Sequence, residues 1–167
     1  MAVKVDLLRR LDPRDAAAFQ ALRLEGFATQ PRAFRYAPED EADLPLARVA
    51  SRLAHDFVVG AFSGTTLVGV GGLQRCTGRR LRHKALLWGM YLRPEFHGSG
   101  AANEIMTRLL AEARREVEIV TLTVMRDNPR AIRFYERWGF VAYGVEPAAV
   151  KTGDGYFDEV SMSLRLS

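Results

Sequence analysis

The stretch Leu87–Asn103, LWGMYLRPEFHGSGAAN, passes from an apolar strand pattern through Pro94 into small residues and then into a helix. Gly98, Gly100, Ala101 and Ala102 put no bulky side chain over the first helical turn, so its free backbone N–H groups can point at an anion. The helix dipole adds to that preference, and a phosphate or pyrophosphate is the natural guest. Neither common nucleotide fingerprint fits. A P-loop needs a lysine after its second glycine, and a dinucleotide site needs G-x-G-x-x-G early in a βαβ unit.

Downstream, Ile105, Met106, Leu109, Leu110 and Ala113 form an apolar stripe that predicts a helix over 101–115. The alternating, β-branched run 118–124 reads as a strand. Asn128-Pro129 opens a helix that runs through Trp138 and ends at Gly139. Segments 140–145 and 156–166 read as two last strands around a turn-rich 151–155. Upstream, 85–92 is a strand preceded by the basic loop 76–84, and 56–63 and 66–74 form a hairpin across Ser63-Gly64-Thr65. A helix over 45–55 follows an irregular, proline-containing connection at 29–38. The acidic run Glu39–Asp43 suits a helix cap better than a seat for a cationic amine. Asp12-Pro13 caps a helix over 13–27, and Val3, Val5 and Leu7 alternate as a first strand. The order β-α-α-β-β-β-α-β-α-β-β implies an α+β (α/β mixed-sheet) fold with helices on the sheet faces.

At 167 residues, 48% hydrophobic and 26% charged, the chain is expected to fold as one domain spanning 1–167. A single cysteine, Cys76, excludes an internal disulfide, and a cytoplasmic setting is expected. The N-terminus meets a charge at Lys4 and has no leader-like apolar stretch, and no run is long enough to span a bilayer. The net charge of +4 is a modest excess, its arginines are scattered, and nucleic acid is not expected as a partner. The loop arginines Arg75, Arg79, Arg80 and Arg82 read as a solvated turn at the far end of their strand from the glycine segment. No metal site is expected: His55 and His83 read as surface groups, and nothing near Cys76 would activate it as an acyl carrier.

His97-Gly98-Ser99-Gly100-Ala101-Ala102, after Leu92-Arg93-Pro94, resembles the acetyl-CoA loop Q/R-x-x-G-x-G/A of the GNAT N-acetyltransferase superfamily, with His97 in place of Gln or Arg. About thirty residues on, Asn128-Pro129-Arg130-Ala131-Ile132-Arg133-Phe134-Tyr135-Glu136-Arg137-Trp138-Gly139-Phe140 is similar to the family's N-x-x-A-x-x-[FL]-Y-x-x-x-G-F. The resemblance implies a central, mixed, splayed sheet of about seven strands flanked by about four helices. It implies that the backbone of Met90, Tyr91 and Leu92 pairs with the pantetheine amides of acetyl-CoA. His97, Gly98, Ser99, Gly100, Ala101, Ala102 and Asn103 would hold the pyrophosphate, and Asn128 would bond the cofactor near its thioester. Tyr135 would protonate the departing thiolate, a role that a phenol protonated at neutral pH can fill. A homodimer is also implied, with an apolar face on the C-terminal strand supporting it.

Acetyl transfer to an amine needs a neutral amine, a donor for the developing oxyanion and a proton for sulfur. A backbone N–H near Tyr91 or Leu92 is the candidate donor. Trp88, Met90, Thr121, Thr123 and Met125 leave no carboxylate on the two central strands to act as base. Glu25, Asp158 or Glu159 could act through water, but each reads as a solvated charge, and proton loss through water to bulk is the preferred reading. The sequence thus points to an N-acetyltransferase acting by direct attack on a small-molecule or peptide amine. A non-catalytic acyl-CoA-binding or sensing module is the alternative.

Overall fold

The computed structural model describes residues 3–167; Met1 and Ala2, which begin the segment read above as too charged for a leader, lie outside them. Seven strands pair into one sheet: β1 (Leu7–Arg10), β2 (Phe57–Ser63), β3 (Thr66–Arg75), β4 (Lys84–Leu92), β5 (Ile119–Met125), β6 (Val141–Thr152) and β7 (Gly155–Arg165). Their spatial order is β1-β2-β3-β4-β5-β7-β6. Every neighbouring pair is antiparallel except β4–β5. A parallel pair requires a crossover, and α4 (Ala101–Glu116) supplies it. The β4–β5 ladder runs only from Lys84↔Ile119 to Leu86↔Thr121. Beyond Leu86 the two strands have no register with each other, which is the splay the resemblance implied.

The remaining helices are α1 (Ala16–Thr29), α2 (Pro38–Glu41), α3 (Leu46–His55) and α5 (Pro129–Arg137). The sequence reading lacked α2, which brings the α-helices among the described residues to five. This single turn forms because Pro38 occupies its first position and the Asp40 carboxylate accepts the Ala37 N–H at 2.7 Å. Asp12 caps as expected, accepting the Arg14 N–H at 2.9 Å, but it caps a 3-10 turn, Pro13–Asp15, that feeds α1. β1 starts at Leu7 rather than Val3, because its partner β2 ends at Ser63 and Leu7↔Phe62 is the last pair. Val3 and Val5 alternate but pair with no strand among the described residues.

The core has two layers. On one sheet face Ile105, Met106, Leu109 and Leu110 of α4 pack on Val59, Leu87, Val120 and Leu122, joined by Tyr135 and Phe140. On the other face Phe19 and Leu22 of α1 and Leu53 of α3 pack on Val58, Val70 and Tyr91. β7 lies inside the sheet between β5 and β6, so the exposed apolar stripe expected on the C-terminal strand falls instead on β6, at Val141, Tyr143 and Val145.

Three glycines make β3 a shallow bed. A Cβ on Gly71 would come within 2.5 Å of Met90 Sδ, 2.8 Å of Ile105 Cγ2 and 3.0 Å of Leu109 Cδ1. The missing side chain is what lets α4 approach the sheet and lets Met90 reach over β3. Gly71→Ala is therefore expected to destabilise the protein by about 1–3 kcal/mol through overpacking. Urea unfolding with an unchanged m-value checks this.

Candidate active site

The glycine turn has the geometry its sequence suggested. Gly98 and Gly100 sit in the left-handed region, at φ 82° and 87°, where side chains other than glycine are strained. A Cβ at either would meet nothing within 4 Å. Their smallness thus serves backbone conformation and an open approach, not packing. Among the described residues, the N–H groups of Gly98, Gly100, Ala102 and Asn103 have no protein acceptor. Ala101 differs: it is buried in the core and its N–H reaches Ser99 Oγ at 3.3 Å. Ser99 and Ala101 do not line the cleft that the other turn residues border.

His97 ties this turn to the end of β4. Arg130 can only donate, so the Nδ1 it reaches at 2.8 Å is the acceptor and Nε2–H donates to Leu92 O at 2.9 Å. His97 therefore holds Arg130 over the cleft. A second tie, which the sequence did not reveal, is the Trp138 Nε1–H bond to Asn103 Oδ1 at 3.1 Å, joining α5 to the first turn of α4.

The cleft has a volume of about 490 Å³ and is bordered by Met90, Leu92, the turn, Asn128, Phe134 and Tyr135, with Arg130 and Arg137 at its rim. Arg93 N–H bonds Val68 O on the β3 side at 3.0 Å. Strand N–H groups alternate between edges, so those of Leu92 and Met90 face the β5 side, where the ladder has already ended. Tyr91 departs from the expectation: paired with Val70, its backbone N–H faces β3 rather than the opening, while its ring packs on Phe34 and its hydroxyl donates to Glu25 at 3.3 Å.

A second cavity of about 320 Å³ opens on the α1–α3 side of the gap. It shares Ala33, Met90, Asn128, Ala131 and Tyr135 with the cleft, so the two spaces meet at Tyr135. Tyr135 is 8% exposed, its hydroxyl has no hydrogen-bond partner among the described residues, and burial pushes its phenol well above the ordinary tyrosine value. Asn128 caps α5, its Oδ1 accepting the Ala131 N–H at 3.2 Å, which leaves its amide NH₂ free for another partner.

The three carboxylates weighed from sequence have separate fates. Glu25 is ion-paired with Arg93 at 2.9 Å and lines neither space. Asp158 accepts from Arg126 and from the Ala148 N–H. Glu159 overturns its reading as a solvated charge: it is 3% exposed, borders the second cavity and is paired with Arg35. Its burial follows from β7 running inside the sheet, opposite Met125 of β5.

The acidic run also divides. Asp40 caps α2, while Glu41 turns inward and accepts from Arg23 Nε at 2.8 Å and Nη2 at 2.7 Å. Burial pushes the Glu41 carboxyl up, but Arg23, helped by Arg52, outweighs it and the net displacement is downward. Arg52 reaches Glu41 at 3.5 Å and lies 4.0 Å over the Trp88 ring. Gly89, at φ 66°, gives this cluster room: a Cβ there would come within 2.8 Å of Arg23 Nη1. A local signal for Arg23 existed, because it interrupts the buried face of α1 between Phe19 and Phe27.

A seven-stranded mixed sheet opened between its two parallel strands, with an anion-receptive turn at the opening, defines a GNAT-type fold. The chain belongs to the acetyltransferase (GNAT) family, whose model matches residues 18–140. It is 30% identical over 140 residues to a mycothiol acetyltransferase of Brachybacterium faecium, covering 80% of this chain and 40% of that protein. The chain spans between 34% and 59% of the length of the curated relatives it matches. Its fold matches a GNAT-family acetyltransferase from Streptococcus pneumoniae with TM-score 0.85 at 19% identity, covering 96% and 99% of the two chains. It also matches yncA from Salmonella typhimurium, solved with its cofactor acetyl-CoA, with TM-score 0.79 at 20% identity, covering 96% and 94%.

Glu41→Gln leaves the Arg23 guanidinium, 4% exposed, without a counter-charge. It is expected to cost about 3 kcal/mol of stability at neutral pH. Because the folded Glu41 pKa lies below its unfolded value, its contribution is present above about pH 4.3 and is lost as pH falls through the folded value. Denaturation at a series of pH values checks both points: the gap between wild type and Glu41→Gln should narrow steadily in acid.

Proposed function

We propose that the chain transfers the acetyl group of acetyl-CoA to a primary amine of a small molecule or peptide, by direct attack within a ternary complex. The observation that carries this reading is the meeting of two cavities at Tyr135 inside the β4–β5 opening, one of them ending on a turn with free N–H groups. The residues fit a long, narrow, diphosphate-bearing guest. The N–H groups of Gly98, Gly100, Ala102 and Asn103 would receive the diphosphate, with Arg130 and Arg137 adding positive charge. The open edge of β4 at Met90 and Leu92 would pair with the pantetheine amides as a strand would. The free NH₂ of Asn128 would fix the arm near its reactive end.

The acceptor amine enters from the second cavity, loses a proton to water there and attacks the thioester carbonyl carbon. A new N–C bond forms as the C–S bond breaks, and the nitrogen releases its second proton to water to become the neutral amide. The Met90 N–H, which faces the opening where the two spaces meet, receives the negative charge that develops on the carbonyl oxygen, leaving the Met90 carbonyl and the Leu92 N–H to the pantetheine amides. Tyr135 donates its proton to the leaving sulfur and recovers one from solvent. Burial suits this role, since it keeps the phenol protonated at neutral pH. Glu159 is the one carboxylate bordering either space among the described residues, and Arg35 already engages it. It therefore shapes the amine's surroundings while water carries the proton away.

Gly100→Asp places a side chain and a negative charge on the turn, in a conformation that non-glycine residues resist. Calorimetry should show acetyl-CoA affinity falling at least tenfold, and unchanged affinity would move the diphosphate site elsewhere. Tyr135→Phe keeps the ring and removes the proton donor. Thiol-release assays should show kcat falling about 10²–10⁴-fold with acetyl-CoA affinity retained. Turnover at the parent rate across pH would return Tyr135 to a packing role, and absence of turnover in the parent with every amine would favour an acyl-CoA-binding module.

A further inference from the structure

The charges around the second cavity do not cancel. Arg23, Arg35 and Arg52 border it, with Glu159 as its carboxylate. Arg35 is matched by Glu159, and Arg23 takes both oxygens of Glu41. Arg52 is left over. Its guanidinium carries five N–H donors, yet it makes no hydrogen bond among the described residues beyond a 3.5 Å approach to a Glu41 oxygen that Arg23 already occupies. Asp56, just past α3, acts on it by charge but makes no hydrogen bond or close ion pair with it among the described residues, and the buried Asp56 Oδ2 has no partner. Partial burial, with Arg23 beside it, lowers the pKa of this cation, whose side chain is 37% exposed where it borders the cavity. Its Cζ lies 4.0 Å over the Trp88 ring, so the indole holds the guanidinium at the cavity wall. A planar, underpaired guanidinium of this kind matches a carboxylate, which it can bond through two parallel N–H···O contacts.

We propose that the acceptor is a small amine that also carries a carboxylate, and that Arg52 binds that carboxylate. The proposal rests on the acetyltransferase reading above and names its substrate class. Arg52 and Tyr135 approach the cavity from opposite faces of the sheet, Arg52 from α3 with the α1–α3 layer and Tyr135 from α5 with the α4 layer. A molecule between them has its anion at α3 and its amine at the opening that leads to Tyr135. Phe34, Leu122 and Met125 line the space between, which suits a short apolar body. The volume of about 320 Å³ is at the small end for ligand pockets and fits an amino-acid-sized molecule better than a folded protein's chain end.

The experiment pairs amino acids of apolar side chain with their amides, in the full-length chain, and measures both acetylation and thermal shift. In thiol-release assays with acetyl-CoA, kcat/KM for each free acid should exceed that for its amide by about tenfold or more. Arg52→Gln should collapse that ratio toward one, and Arg52→Lys, which keeps the charge but not the fork, should restore part of it. Without acetyl-CoA, the acids but not the amides should raise Tm, and Arg52→Gln should abolish that shift. Circular dichroism and the retained affinity for acetyl-CoA show that each variant is folded. Equal turnover of acids and amides by wild type, a preference for peptide N-termini, or a ratio insensitive to Arg52→Gln would overturn the carboxylate site while leaving the acetyltransferase reading intact. If acetyl-CoA does not bind at all, that reading fails, and the Arg52-dependent thermal shift decides on the carboxylate site alone: its absence overturns the site.

Discussion

The short parallel ladder between β4 and β5 is the constraint on which everything else turns. Three pairs, ending at Leu86↔Thr121, are enough to hold the strands together at one end, and past them both leave backbone groups unpaired toward each other. Such groups cannot be buried without partners, so the opening has to face a ligand or water. The divergence is built in by β4 itself. Its register against β3 shifts between Val70 and Gly72, and Gly89 takes a left-handed conformation at the same place. That bulge turns Trp88 toward the α1–α3 layer and Met90 toward the α4 side, giving the two walls different characters. α4 then starts at the mouth of the opening, which sets its unpaired N–H groups beside the unpaired strand edge.

Much of this was legible in the sequence where the physics is local. The glycine turn could be read because left-handed backbone at Gly98 and Gly100 and an unobstructed helix start both demand small residues at fixed positions. α4 and α5 were legible through their apolar periodicity and through Asn128, which caps α5 as its place before Pro129 suggested. Tyr135 and Asn128 came from a motif, and the fold brings both to the meeting point of the two cavities.

The charged lining of the second cavity was not legible, and the reason is distance along the chain. Glu159 is buried because β7 threads between β5 and β6, and it meets Arg35 across 124 positions. Glu41 was one of several acids in a run that resembles a helix cap, and only the packing of α2 against α1 singles it out to meet Arg23. Burial of a charge is a property of the pair, since neither member is tolerable inside without the other. No window of local sequence contains both. β1 failed in the opposite way: Val3 and Val5 had the right alternation but nothing to pair with, which shows that a period-2 pattern specifies a strand only where an edge is waiting for it.

Acetyl transfer at this opening requires acetyl-CoA to lie along it, with its diphosphate on the turn and its arm against β4. Backbone amide chemical shifts, followed by NMR during titration with acetyl-CoA, test that most directly. The largest changes are expected at Gly98, Gly100, Ala102 and Asn103, together with Met90 and Leu92, and little change at Tyr91, whose N–H faces β3. Saturable binding with the changes clustered elsewhere, on the exposed face of β6 for instance, would contradict it.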